Sequence, residues 1–408
     1  MEREQLERLE RGGVQVVCPE SQYVAEDVPE DAIAEGVVLH PGCRISGAST
    51  MIGPGCALGA EGPVTLRDCQ LEADVTLKGG SFEESVFLRG SGMGSCAHVR
   101  AACLLEEEAS GAHAVGLKQT VFMSFVTAGS LINFCDALMG GGTSRSDHSE
   151  IGSSYIHFNY TPHGDKATAS LLGDVPRGVL LNNAPIFLGG QGGLVGPARV
   201  EFGVLIPAGT VFRGDAKEAG SLHSCAPLGD GVASYDTGVY RRVMRIVRHN
   251  LSYLGNIYAL RTWYARVRQP LMEQNHFSAA CCAGAVRVLD TILSERMKRL
   301  AQLADKVKTS AQRLRAERGN ERWLREQEQF VAQWPEMQQQ LQAMLKNEPA
   351  LPEVDTIGRA LLEQAEDGYV AAVGRLSEER RAEVVAMLGR LVERFSILKI
   401  SDKTEEIR

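Results

Sequence analysis

The sequence predicts a parallel β-solenoid of hexapeptide repeats followed by an α-helical domain with a coiled-coil-like segment. Three observations carry that prediction. Glycine is divided unevenly, with 34 of the 43 in the first 230 residues and nine in the rest. In that first part single aliphatics recur every six residues, as in Leu39/Ile45, Ile52/Leu58/Val64 and Met93/Val99/Leu105, with small or turn-forming residues between them. From about Asp236 onward the apolar residues recur at three and four instead. A six-residue rhythm suits a coil of three short strands, each sending one side chain inward, and a flexible glycine-rich linker would not keep aliphatics in step over many turns.

Taken in order, residues 1–13 (MEREQLERLERGG) are charged and put Leu6 and Leu9 on one side of a short helix, which would cap the first coil. Residues 14–230 form the solenoid. Its clearest unit is Ile52-Gly53-Pro54-Gly55-Cys56-Ala57-Leu58-Gly59, and after a long interruption the pattern returns at Val195, Val200, Val204, Ile206 and Val211. Gly, Asn and Asp are expected at the corners, where the backbone needs a left-handed conformation. Residues 231–408 are helical. Leu293, Met297, Leu300, Ala304, Val307, Ala311 and Leu314 follow a heptad, which reads as a coiled coil or helical hairpin. Pro335, Pro349 and Pro352 are expected to separate helices, and the helical half to cap the far end of the solenoid.

Charge divides at the same place. Residues 1–230 carry 15 Lys/Arg against 28 Asp/Glu, a net of -13, and residues 231–408 carry 28 against 23, a net of +5. That balance makes nucleic acid an unlikely partner. The ten cysteines include no C-x-x-C pair, the N-terminus is charged rather than apolar, and no run of about 18 apolar residues stands out. A cytoplasmic protein with reduced thiols and no membrane association is the expectation. Between Thr237 and Met272 there is no Asp or Glu, while Arg241, Arg242, Arg245, Arg248, Arg261, Arg266 and Arg268 are present. These arginines dock the helical half on the acidic solenoid, contact phosphate groups or a nucleotide, or bind RNA.

Between Gly111 and Asp215 the chain resembles the acetyltransferase half of the bacterial bifunctional N-acetylglucosamine-1-phosphate uridylyltransferase/glucosamine-1-phosphate acetyltransferase, a hexapeptide-repeat acyltransferase. The segment Ala128-Gly129-Ser130-Leu131-Ile132-Asn133-Phe134-Cys135-Asp136-Ala137 is similar to that family's Ala-Gly-His-Leu-Thr-Tyr-Leu-Gly-Asp-Ala, and Asn159-Tyr160, Gly173-Asp174 and Leu194-Val195-Gly196-Pro197 follow in order. The resemblance implies a left-handed β-helix, a homotrimer, and a cleft between subunits for an amino-sugar phosphate or UDP-sugar and acetyl-CoA or another acyl-CoA. It places Lys118 on substrate phosphate, Asn159 and Tyr160 at the substrate and acetyl pockets, and Gly190 near the cofactor.

Two positions depart from that pattern. Ser130 stands where the family has its general-base histidine, and Asn133 where it has a substrate-binding tyrosine. Acetyl transfer to an amine needs a base with a pKa near neutrality, which serine lacks. Extra residues between Gly140 and Ile151 and between Asn159 and Gly173 bring in His148 and His163, beside Asp147/Glu150 and Asp165/Lys166, as replacement bases. His157, which alternates with Tyr155 and Asn159, could face the same cleft. No metal-ligand spacing is present. The loop 189–193, containing Gly190 and Gly192, lacks the Lys-Ser/Thr of a P-loop and reads as a tight corner along which pantetheine would run, with Arg199, Arg213 or Lys217 reaching the cofactor phosphates.

The leading expectation is therefore acyl transfer to a phosphorylated or nucleotide-linked amino sugar. Uridylyl transfer is the alternative that the family's name suggests, but residues 1–110 show no nucleotide-binding half. A ligand-binding or scaffolding trimer that has lost catalysis is the non-enzymatic alternative.

Overall fold

The structure, a computed structural model, describes residues 2–157, 168–226, 229–232, 238–316 and 319–396. It is a left-handed parallel β-helix followed by a helical region, as the sequence predicts. The prism has three faces. The first is a ten-stranded parallel sheet that starts at Gln15–Val16 and ends at Leu205–Ile206. The second and third share a 15-stranded sheet, because Val115–Phe122, Ile132–Met139, Gly192–Val200 and Val211–Ala216 each turn the corner without a break. The six-residue aliphatics point inward in register: Leu39, Leu58, Leu77, Ile151, Leu188 and Ile206 stack up the first face, all buried.

The corners differ from expectation. Asp68, Asp74 and Asp136 do occupy left-handed backbone, but so do Cys96, Ala114, Gln119, Phe125 and Leu131. One left-handed residue costs on the order of 1 kcal/mol, and the hydrogen bonds of the coils above and below hold it there. Several glycines serve instead where coils touch: an added Cβ on Gly189 would meet the Ala208 backbone, and on Gly152 the Gly190 backbone.

Nine α-helices flank or follow the coils among the described residues. Helix α1 (Glu2–Arg11) packs Leu6 and Leu9 against the first coil, and α2 (Val175–Gly178) lies in the interruption, capped by Asp174. Then come α3 (Val243–Trp263), a π-helical turn at Tyr264–Arg268, α4 (Gln269–Met272), α5 (His276–Ala316), α6 (Glu321–Lys346), α7 (Pro352–Leu362), α8 (Tyr369–Gly374) and α9 (Glu378–Ser396). The heptad residues of α5 face α6 in a helical hairpin. Pro335 does not separate helices. It sits inside α6, whose flanking Phe330, Trp334 and Met337 are buried, so packing outweighs the lost backbone bond.

The helical half does not cap the end of the solenoid. It lies along the third face, where α5 crosses strands 51–52, 70–71, 85–87 and 103–105, and α3 crosses 170–172 and 192–200. The reason is in the strands: on this face the outward residues Val86, Leu104, Val121, Leu138 and Leu171 are as apolar as the inward ones, and all are buried. Both sides of the sheet are covered, as in the sheets of α/β proteins. Helix α5 is also long and apolar enough by composition to cross a bilayer, contrary to the sequence expectation. Half of its most apolar stretch is buried in the molecule, as in a core helix.

The arginine-rich segment is partly a docking device. Arg245 bonds Asp215 at 2.9 Å, and Arg268, fully buried, pairs with Glu107 and lies 3.7 Å from Glu106. Arg261 pairs with Asp290 and Glu348, and Arg266 with Asp355, inside the helical half.

Candidate active site

One corner column and one open face collect most of the sequence candidates. Ser130 lies where the chain leaves the first face, two residues after Ala128. Gly190 occupies the same column two coils later, about 10 Å along the axis at the usual strand spacing. On the adjoining second face Asn133 pairs in register with Gly116 and with Tyr155, and Lys118 with Cys135. Among the described residues no helix packs on this face at these strands, and Tyr155 and Leu131 are 63% and 62% exposed.

Two residues that the sequence did not single out complete the group. His113 sits one coil before Ser130, and its Nδ1 is 2.8 Å from Ser130 Oγ, while Leu131 N–H donates to the His113 carbonyl. The imidazole is exposed. A histidine therefore occupies the corner although residue 130 is serine. Since His98 and Val99 pair with Gly116 and Leu117, Arg100 stands beside Lys118, and its guanidinium reaches Cys135 Sγ at 3.7 Å. The coil period would have found both, because 17 residues separate His113 from Ser130 and 18 separate Arg100 from Lys118.

The charges are ordered from behind. Arg296 of α5 is buried and donates to Gln119 Oε1 at 2.8 Å and Asp136 Oδ1 at 2.7 Å. Asp136 Oδ2 lies 3.7 Å from Nδ1 of His157, whose side chain is buried against Gly196, a position where any Cβ would run into the ring. Burial alone would raise the Asp136 carboxyl, but His157, Arg296 and Lys118 outweigh it and hold it below the usual range. The His157 ring is thus buried at this corner and does not open onto the second face as the sequence allowed. Burial and then the Asp136 charge push the Cys135 thiol up, so it is not a thiolate nucleophile near neutrality.

Other candidates fall elsewhere. His148 belongs to a hairpin (Gly142–Ser144 with Asp147–His148) at the edge where the chain enters the first face, opposite to Ser130. The hairpin tip is pinned by Arg145, which donates to the carbonyls of Glu108 and Phe125 at 3.0 Å, and His148 Nδ1 bonds the Arg145 carbonyl at 2.8 Å. Arg199 lies past the Gly196–Pro197 corner on the third face, its amide bonded to Asp215, whereas Arg213 is exposed on the second face. Gly192 follows Gly190 into the second face. Asn159, Tyr160, His163 and Lys166 lie outside the described residues. Among the described residues no three His, Cys, Asp or Glu side chains converge as a metal site.

No family model matches the chain. Comparison with curated proteins gives relatives over up to about half of the chain. The chain resembles Bifunctional protein GlmU. The GlmU of Pelobacter propionicus is 33% identical over 211 residues, 52% of this chain and 40% of that protein. The GlmU of Thermus thermophilus is 30% identical over 189 residues (46% and 36%), and that of Syntrophotalea carbinolica 40% over 84 residues (21% and 17%). The match thus spans well under half the length of these GlmU proteins. The similarity, with the hexapeptide solenoid, supports a hexapeptide-repeat transferase.

Proposed function

We propose that the chain transfers an acyl group from acetyl-CoA or another acyl-CoA to the amine of a phosphorylated or nucleotide-linked amino sugar, on the second face around His113. The observation that carries this reading is the His113–Ser130 hydrogen bond at the corner beside Lys118 and Arg100. With Nδ1–H donating to Ser130 Oγ, Nε2 keeps its lone pair and takes the amine proton as nitrogen attacks the thioester carbonyl. The C–N bond forms, the C–S bond breaks, and CoA leaves as the thiol after gaining a proton. Ser130 is then a positioning residue for the base. Lys118 and Arg100 hold the acceptor phosphate, with Asn133 and Tyr155 against the sugar.

Gly190 and Gly192, on the same corner, suit the pantetheine arm, since no side chain intervenes between ligand and backbone, and Arg213 is placed for the cofactor phosphates. Asn159, Tyr160 and Lys166 complete the acceptor pocket in this reading, with His163 the second candidate for the base. A homotrimer would close the cleft from a neighbouring subunit. Exposed Leu131 and Tyr155, together with Phe187, Leu205 and Leu222 in register on the first face, offer apolar surface for such an interface.

The test is thiol release from acetyl-CoA with a panel of amino-sugar phosphates and UDP-amino sugars. His113→Ala is expected to lower kcat by roughly 10²–10⁴-fold with KM nearly unchanged. His163→Ala as the damaging variant would move the base to that loop. No turnover with any acceptor would leave the non-catalytic reading.

A further inference from the structure

The two cations of the second face stand between two carboxylates, and each carboxylate is held by a different arginine. Successive coils place Arg67 opposite Glu83, then Glu83 beside Arg100, since Phe82 pairs with Val99. Arg100 stands beside Lys118, and Lys118 opposite Cys135. Asp136 follows Cys135 directly, in left-handed backbone at the corner that leads to the third face. Glu83 is ion-paired to Arg67. Asp136 Oδ1 accepts from Arg296 at 2.7 Å, and its Oδ2 faces the His157 ring at 3.7 Å. Among the described residues neither Arg100 nor Lys118 is ion-paired to a carboxylate, and the Arg100 guanidinium rests on Cys135 Sγ at 3.7 Å.

The two guards differ in origin. Arg67 belongs to the solenoid, whereas Arg296 comes from α5 and is buried behind the sheet, where it also donates to Gln119 Oε1 at 2.8 Å. A buried guanidinium is tolerated only where a carboxylate and further acceptors meet it, so Arg296 fixes Asp136 toward the third face. Lys118 is near enough to be one of the charges that hold the Asp136 carboxyl below its usual range. Without Arg296, Lys118 is therefore the cation on which Asp136 would close.

We propose that Arg296 is a positioning residue for the second face: by holding Asp136 it keeps Lys118 available beside Arg100, so the helical half sets the affinity of this face for an anionic acceptor group. The inference rests on the reading that Lys118 and Arg100 hold the acceptor phosphate. Two adjacent cations, about 4.8 Å apart along the sheet, suit a doubly charged phosphoryl group, whose oxygens can engage both at once.

Two measurements on the full chain test it. The first needs no acceptor: the rate at which Lys118 is labelled by trinitrobenzenesulfonate, an anionic amine reagent, read by peptide mass spectrometry. The second is calorimetric titration with glucosamine 1-phosphate. Arg296→Met should slow the labelling and weaken the binding by roughly fivefold or more, since one opposite charge about 4 Å away is worth that factor even in water. Arg296→Met/Asp136→Asn, which removes both charges, should restore both readouts to within about twofold. Asp136→Asn alone, which still accepts from Arg296, should leave labelling and binding unchanged or raise them. If Arg296→Met does not fold, this variant decides: slower labelling or weaker binding in Asp136→Asn means that Asp136 supports Lys118, and the inference falls. Labelling indifferent to Arg296→Met, or a loss that the double variant does not restore, also overturns it. If glucosamine 1-phosphate is not bound, the labelling alone decides. The expected labelling order without turnover of any acceptor sustains this charge arrangement and removes acyl transfer, whereas turnover with both readouts untouched by Arg296 removes only the present inference.

Discussion

A buried cluster at the seam between solenoid and helices sets two carboxylates against one arginine. Tyr264 donates to Glu106 at 2.8 Å, Arg268 pairs with Glu107, and the Arg268 guanidinium lies 3.8 Å from the Tyr369 ring centroid. Burial, offset by Arg268 and reinforced by Glu107, pushes Glu106 up to about 7. Its folded value therefore lies above the unfolded one, about 4.3. Its contribution to stability is complete below the unfolded value and is lost as pH rises toward 7. Urea unfolding from pH 5 to 8 should show that decline, and Glu106→Gln, which still accepts from Tyr264, should flatten it. An unchanged slope would place the proton elsewhere. The proposed site was legible in part from the sequence: Lys118, Ser130, Asn133 and Gly190 do share one corner and face. His113 was not, because a histidine in Gly111-Ala112-His113-Ala114-Val115 has no local signal. Only the stacking of successive coils makes it a neighbour of Ser130.

At the scale of elements, close approach decides more than propensity. In α3, Gly255 faces α9 so closely that an added Cβ would stand 2.9 Å from the Val392 carbonyl oxygen and 3.0 Å from its Cα. Gly255→Ala should gain up to about 1 kcal/mol of helix propensity and lose more to overpacking, for a net destabilisation of roughly 1–2 kcal/mol in chemical denaturation. The half-buried Gly389→Ala, with open space around its Cβ, should stabilise by up to about 1 kcal/mol. Heptad residues from Leu293 to Leu314 announced the α5–α6 hairpin because periodicity is local. Pro335 misled because its helix is held by the burial of Phe330, Trp334 and Met337, which no window around a proline reveals.

For the whole molecule, the hexads disclosed the prism but not which wall the helices would cover. The clue was present in Val86, Leu104, Val121, Leu138 and Leu171, apolar on the side that should face water, yet reading it required the register of five coils. A chain ending at residue 226 should therefore expose a continuous apolar strip and associate on gel filtration. Leu104→Gln with Leu138→Gln should restore a discrete species. A soluble truncated chain without those changes would mean that the helices are dispensable to the third face.

A stack of coils on its own behaves as a line of weakly coupled units that can open from either end. Helix α5 alters that behaviour, since its 41 residues, about 60 Å of helix, are fastened successively to strands 51–52 through 103–105 and then, by Arg296, to Gln119 and Asp136. A coil in that stretch cannot peel away without lifting a rod that its distant neighbours also hold. Amide exchange across these coils should follow one shared opening free energy instead of a gradient from the ends.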